Sequence, residues 1–150
     1  MEKRKKRRRA PREGALATSP REHRRAARIY REICVNGSRF WALFDSGARR
    51  TYVTVPVARL AGAKRLPYPI KCALGGATHT IRRFCALAGT VEGYGITADA
   101  LVVDKLFPDE RGRPIVIIIG METMETWGIG LDTTHKRLDF TFYAREVYEG

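Results

Sequence analysis

The sequence predicts a single, mostly β domain of short strands with one or two short helices. Three observations carry this. The chain has 150 residues, 44% of them hydrophobic, enough for one compact core and hardly for two. Its apolar residues come in short runs, none longer than the strand-sized Ile115 to Ile119, and turn-forming residues separate them. Helical periodicity is confined to brief windows.

The segment Met1 to Pro20 opens with KRKKRRR and continues through Pro11, Gly14, Ser19 and Pro20. Its like charges repel and it offers little apolar surface, so it is predicted to be disordered. Residues 21–28 (REHRRAAR) read as a short basic helix leading into the body. From Ile29 the texture changes. Ile33, Val35, Phe40, Ala42 and Phe44 alternate about Asn36-Gly37, a strong hairpin signal. A break at Asp45-Ser46-Gly47-Ala48 precedes an apolar strand, Tyr52 to Val55. Pro56 to Leu60 then predicts a short helix, with Pro early and Gly62 past its end.

A strand around Ile70 to Leu74 is interrupted by Gly75-Gly76, and another runs from near Thr80 towards Val91, which makes the glycines a hairpin tip. Ile96 to Val103 is apolar on both faces, as a core strand would be. Lys105 to Pro114, with two Pro, one Gly and five charges, is an exposed loop. Ile115 to Ile119 reads as a buried strand ending at Gly120. Met121, Met124 and Trp127 then recur every three residues opposite Glu122 and Glu125, predicting a short helix stopped by Gly128 whose stripe packs in the core. Strands near Ile129 to Asp132 and Arg137 to Tyr143 close the body, and residues 144–150 form a polar extension.

Charge is concentrated at one end. Residues 1–28 hold 12 Lys/Arg against 3 Asp/Glu, a net of +9, whereas the remaining 122 hold 16 against 13, a net of +3. The tail therefore has two readings: contact with nucleic acid or another polyanion through counterion release, or a solvated segment with no dedicated partner. No apolar run is long enough to cross a bilayer, and the charged start lacks the apolar core of a signal peptide, so the expectation is a cytoplasmic protein without membrane attachment. The chain has no Gln, a single Asn and 21 Arg against 7 Lys, and the depletion of thermolabile amides predicts a thermophilic source.

Two similar elements carry the chemistry. The apolar strand Trp41 to Phe44 ends in Asp45-Ser46-Gly47-Ala48, and about 70 residues on, a second apolar strand ends in Gly120 and enters a helix. The Gly-Gly hairpin lies between them. Leu43-Phe44-Asp45-Ser46-Gly47-Ala48, Leu74-Gly75-Gly76-Ala77 and Ile118-Ile119-Gly120-Met121-Glu122, in this order, resemble the retropepsin-like aspartic proteases. Gly130-Leu131-Asp132 and Leu138-Asp139-Phe140 are similar to that family's closing strands. The resemblance spans residues 30–143, and the domain is placed at 29–143.

The resemblance implies a closed, β-barrel-like retropepsin fold of six to eight strands and a symmetric homodimer. Asp45 would be the catalytic carboxylate, the Ser46 hydroxyl would brace the loop against its symmetry mate, and Gly47 and Ala48 would allow a sharp turn and close approach. Gly75 and Gly76 would tip a substrate-binding flap. Family chemistry needs two carboxylates sharing one proton, because two like charges at close range cannot both ionise cheaply. One then activates a water while the other polarises the scissile carbonyl. Asp99, Asp104, Asp132 and Asp139 lie outside any Asp-Ser/Thr-Gly context, so the second carboxylate must come from a second chain. The expected function is a dimeric aspartic endopeptidase acting on extended peptides. The alternative is a catalytically silent module that dimerises or binds peptides, with a nucleic-acid-binding tail.

No cofactor is implied. His79 and His135 have no partner at metal-ligand spacing, so no metal site is expected. Arg49 and Arg50, beside the acidic loop, either support the dimer or remain solvated. Cys72 and Cys85 flank the hairpin, but placing them opposite each other would need a tip near Thr78-His79 rather than on the glycines, which disfavours a disulfide.

Overall fold

The computed structural model describes residues 27–144, so the predicted tail and nearly all of the predicted basic helix lie outside the described residues, as does most of the C-terminal extension. Arg28 is already in a strand, and the body begins one residue before the predicted boundary. The chain then forms β1 (Arg28–Val35), β2 (Ser38–Asp45), β3 (Thr51–Thr54), α1 (Val55–Ala61), β4 (Ala63–Leu74), β5 (Ala77–Val91), β6 (Tyr94–Val103), β7 (Ile117–Ile119), α2 (Met121–Trp127), β8 (Gly130–Asp132) and β9 (Arg137–Asp139).

The first seven strands make one sheet in the order β1-β2-β7-β3-β6-β5-β4, and β8 pairs with β9 separately. A further pairing of Cys34 with Thr90 brings β1 against β5, so the sheet curls back towards its first strand. The insertion of β7 matters most for the site. This short strand runs parallel to β2 and antiparallel to β3, pairing Phe44 with Ile119 and Tyr52 with Ile118. The chain segments that leave β2, enter β3 and leave β7 are thereby gathered at one end of the sheet.

Alternation explains why these strands are apolar throughout. Successive residues of a strand point to opposite faces, and adjacent residues here fall in two different cores. Phe44, Val53, Val102, Ile117 and Ile119 pack with Ile33, Leu87 and Met124. Leu43, Tyr52, Leu101, Val103 and Ile118 pack with Ile81 and Ile115. Phe44, Leu43, Val53 and the three Ile of β7 are essentially inaccessible to solvent, each such side chain contributing roughly 1.5–3 kcal/mol of burial.

Several predicted boundaries are corrected. The strand expected from Ile70 begins at Ala63, because Leu66-Pro67-Tyr68-Pro69 forms an irregularity that shifts the register between Arg65–Arg83 and Ile70–Ile81 while remaining extended; the prolines cannot donate to a ladder, so pairing skips them. The predicted 115–119 strand shortens to Ile117–Ile119, although Val116 still donates to Trp41 O (3.0 Å) and accepts from Thr54 N (3.0 Å). The last strand stops at Asp139 instead of Tyr143 because the Asp139 carboxylate takes the Thr141 N–H (2.9 Å) and hydroxyl (2.6 Å), turning the chain. Both predicted helices are present, and Met124 is buried as expected.

Candidate active site

Asp45 is the last residue of β2, and only 6% of it is accessible. Its Oδ1 accepts the Gly47 N–H (2.8 Å), and its carbonyl accepts the Ala48 N–H (3.2 Å). The loop is strapped from the other side by Ala27: the Ser46 N–H donates to Ala27 O (3.0 Å), and the Ala27 N–H donates to Ser46 Oγ (2.7 Å). The hydroxyl expected to brace a symmetry mate thus has a partner in its own chain. Gly47 makes the turn without a left-handed backbone, so the sharp turn expected of it does not rest on glycine's extra conformational freedom.

Helix α2 supports the loop from below. Met121 N–H donates to Ala48 O (2.8 Å) and Glu122 N–H to Arg49 O (3.0 Å), so two otherwise unpaired donors of the first helical turn hold the strand-to-strand connection. This contact requires Gly120. A side chain there would fall on the Arg50 carbonyl oxygen and within 2.7 Å of the Arg49 carbonyl. Beneath it, Thr51 Oγ1 accepts the Gly120 N–H (3.2 Å) and is hydrogen-bonded to Thr123 Oγ1 (2.7 Å), an interior polar pair that ties the start of α2 to β3.

A cleft of about 370 Å³ opens over Asp45, with Arg28, Arg49, Tyr52, Leu74, Gly75 and Phe107 around it. The β4–β5 hairpin turns at Gly75 (φ +56°) and Gly76 (φ +83°), a left-handed pair that non-glycine residues rarely adopt. Leu74 pairs with Ala77 across it, so the tip lies where the sequence predicts. Gly75 rests directly on the Phe107 ring, which a Cβ would overlap. The Arg28 guanidinium stands 5.5 Å from the centre of the same ring and places Nε 3.7 Å from Asp45 Oδ2. Burial of the Tyr52 hydroxyl on the cleft wall, with the Cys72 thiol next to it, pushes its pKa up.

A larger cleft, about 690 Å³, lies between α2 and the middles of β5 and β6. Its walls are mostly Ala and Thr, and its carboxylate nearest the Asp45 loop, Glu122, is already paired with Arg49 (3.0 Å) and Arg50 (3.6 Å). The smaller cleft is the better candidate, because it alone holds a carboxylate fixed by a backbone turn.

The structure therefore brings together Asp45, Gly47, Ala48 and Gly75 at one cleft, with Ser46 turned to Ala27 and Gly76 completing the tip. Among the described residues no other carboxylate lines it. Asp109 caps its own loop by accepting from Arg111 N, Arg113 N and Trp41 Nε1, and Asp132 is taken by His135 and Arg137. Among the described residues no cluster of metal-ligating side chains occurs. Cys72 and Cys85 are free, facing His79 and Ala63 in the ladder. The residues that sequence reasoning missed are Arg28, Tyr52 and Phe107. Arg28 was hidden in a basic run, and Phe107 sits in a charged loop whose position over the hairpin is purely tertiary.

The fold is that of the retropepsin-like proteases. The chain matches the crystal structure of the retroviral protease-like domain of Ddi1 from Leishmania major with a TM-score of 0.58, over 77% of this chain and 90% of that one, at 17% identity. Residues 32–123, more than half of the sequence and including the Asp45 loop, the hairpin and the start of α2, match the aspartyl protease family, and the chain belongs to it. No curated protein matches it in sequence.

Proposed function

We propose that this protein is an aspartic endopeptidase that works as a homodimer, each subunit contributing Asp45. The observation that carries the reading is a single, nearly buried carboxylate in a cleft bordered by a glycine-tipped hairpin, with no second carboxylate lining it among the described residues. A water-activating pair needs two such groups within hydrogen-bonding distance, and a two-fold axis near the loop would supply the second. One carboxylate takes a proton from the attacking water while its protonated mate polarises the scissile carbonyl. An extended peptide would lie under the hairpin tip and pair with its backbone.

Arg28 fits this scheme as the counter-charge of a lone carboxylate. At 3.7 Å it offsets part of the desolvation of Asp45 in one chain, and in the dimer it would give way to the partner's carboxyl group, which keeps the pair stable by sharing a single proton with Asp45. The same contact also favours the rival reading, a silent peptide-binding module whose Asp45 is permanently paired.

The test is peptide cleavage by wild-type protein and by Asp45→Asn, with mass measured by analytical ultracentrifugation. The substitution keeps the acceptor for Gly47 N–H, so the fold should survive while cleavage falls by several orders of magnitude. Undiminished cleavage by Asp45→Asn, or cleavage that tracks the monomer on dilution, overturns the proposal. A verified dimer that cleaves nothing establishes the silent module instead.

A further inference from the structure

The charges around the cleft are unbalanced. Arg49, on the Asp45 loop, has 82% of its side chain in solvent and shares the single carboxylate of Glu122 with Arg50, so two guanidinium groups draw on one negative charge. Among the described residues, the only carboxylate in the cleft is Asp45 itself, the group the proposed chemistry uses. The hairpin whose tip borders the cleft is more basic still. Across residues 63–91, the whole β4–β5 hairpin, there is no Asp or Glu, while Lys64, Arg65, Lys71, Arg82 and Arg83 are all exposed. None of these five forms an ion pair among the described residues, and Arg65 stands directly opposite Arg83 in the ladder, a like-charge cross-strand pair that weakens the sheet. Lys71 is the cation of the five that lies towards the tip, on the same strand face as Ala73, which lines the cleft, so among the described residues it adds an unpaired positive charge to that of Arg49.

We propose that the cleft selects acidic substrates: extended peptides carrying Asp or Glu within a few residues of the scissile bond, recognised by Arg49 from the loop side and by Lys71, two residues along β4 from the cleft-lining Ala73 and on the same face of the strand. This deepens the protease reading and rests on it. Peptide is favoured over nucleic acid because Arg49 and Arg28 face a small cleft whose floor is a carboxylate, which a continuous phosphate chain would meet unfavourably. The hairpin also carries only one well-exposed aromatic, Tyr68, where single-stranded nucleic acid is held on a series of stacking rings.

The test separates binding from turnover. Fluorescence anisotropy on Asp45→Asn protein compares two labelled peptides that are identical except for two Glu replaced by two Gln beside a shared apolar core, with a single-stranded RNA oligonucleotide as competitor. The Glu peptide should bind roughly five- to tenfold more tightly at low salt, and the ratio should shrink towards one at about 0.5 M salt. Arg49→Gln and, separately, Lys71→Gln on the same background should each lower the ratio, and wild-type protein should cleave the Glu peptide faster. Equal affinities, no binding of either peptide, or displacement of the Glu peptide by equimolar RNA overturns the proposal. Cleavage of both peptides at equal rates removes acidic selection and leaves the protease reading intact. A preference in binding with no cleavage of either peptide removes the protease reading and leaves acidic selection standing.

Discussion

Gly120→Ala is a single-methyl test of how the candidate site is assembled. Gly120 has φ −94° and ψ −180°, a backbone that alanine adopts freely, so the substitution carries no conformational strain of its own. Its cost is steric. The new Cβ would land on the Arg50 carbonyl and come within 2.7 Å of the Arg49 carbonyl, both backbone atoms that cannot rotate away. Overpacking of this kind costs about 1–3 kcal/mol when side chains can yield, and a backbone neighbour places the change at the upper end, about 3 kcal/mol. At roughly 3 °C per kcal/mol for a chain of this size, the melting temperature should fall by about 10 °C. Relief requires α2 to move off the loop, which breaks the Met121 N–H to Ala48 O and Glu122 N–H to Arg49 O bonds, so peptide cleavage should fall further than stability alone would cause. Thermal unfolding by circular dichroism at fixed protein concentration measures the first effect and initial cleavage rates the second. Gly95→Ala is the control: a Cβ there has nothing nearer than the Tyr143 hydroxyl at 4.0 Å, and the midpoint should hardly change. If Gly120→Ala melts within about 2 °C of wild type, the close approach of helix and loop is not the constraint described here.

Three further outcomes are expected. Thr51→Val strips Gly120 N–H and the Thr123 hydroxyl of their interior partner and should destabilise by about 1–3 kcal/mol in urea unfolding, with Thr51→Val/Thr123→Val costing clearly less than the two single changes summed. Ser46→Ala loses the acceptor for Ala27 N–H (2.7 Å); it should lower cleavage while leaving the far-ultraviolet spectrum unchanged, and unaltered rates would show that the strap does not position Asp45. Desolvation, reinforced by the hydrogen bond to Glu110, raises the Tyr30 pKa from 10.0 to about 12. A folded-state value above the unfolded one means that the stabilisation is complete below pH 10 and is lost as pH rises towards 12; Tyr30→Phe should flatten this alkaline decline, and a parallel decline in the variant would refute the assignment.

The alternating apolar strands, the Asn36-Gly37 and Gly75-Gly76 turns and both short helices were legible in the sequence, because each depends on residues within about one turn of one another. The order of the Asp45 loop, the glycine hairpin and the Ile-Ile-Gly-helix element was equally readable, and with it the family. Strand ends were less so: the Asp139 side chain, not hydrophobicity, stops the last strand, and the stretch Leu66 to Pro69 stays extended despite its prolines because neighbouring pairs carry the ladder.

What the tertiary structure alone decided is how distant parts meet. Insertion of β7 between β2 and β3 sets Gly120 against Arg49 and Arg50. The 104–116 loop brings Phe107 under the hairpin tip, whereas Arg28 reaches the Asp45 carboxylate by simple register, as its direct partner across the β1–β2 hairpin. The five cations of residues 63–91 can be counted in the sequence, but only the fold shows that Ala73, Leu74 and Gly75 border the cleft and that Lys71 is the cation nearest to them along the strand. Local pattern is written by neighbouring residues through backbone geometry; a site is written by packing between segments 20 to 90 residues apart, whose register depends on the whole core at once.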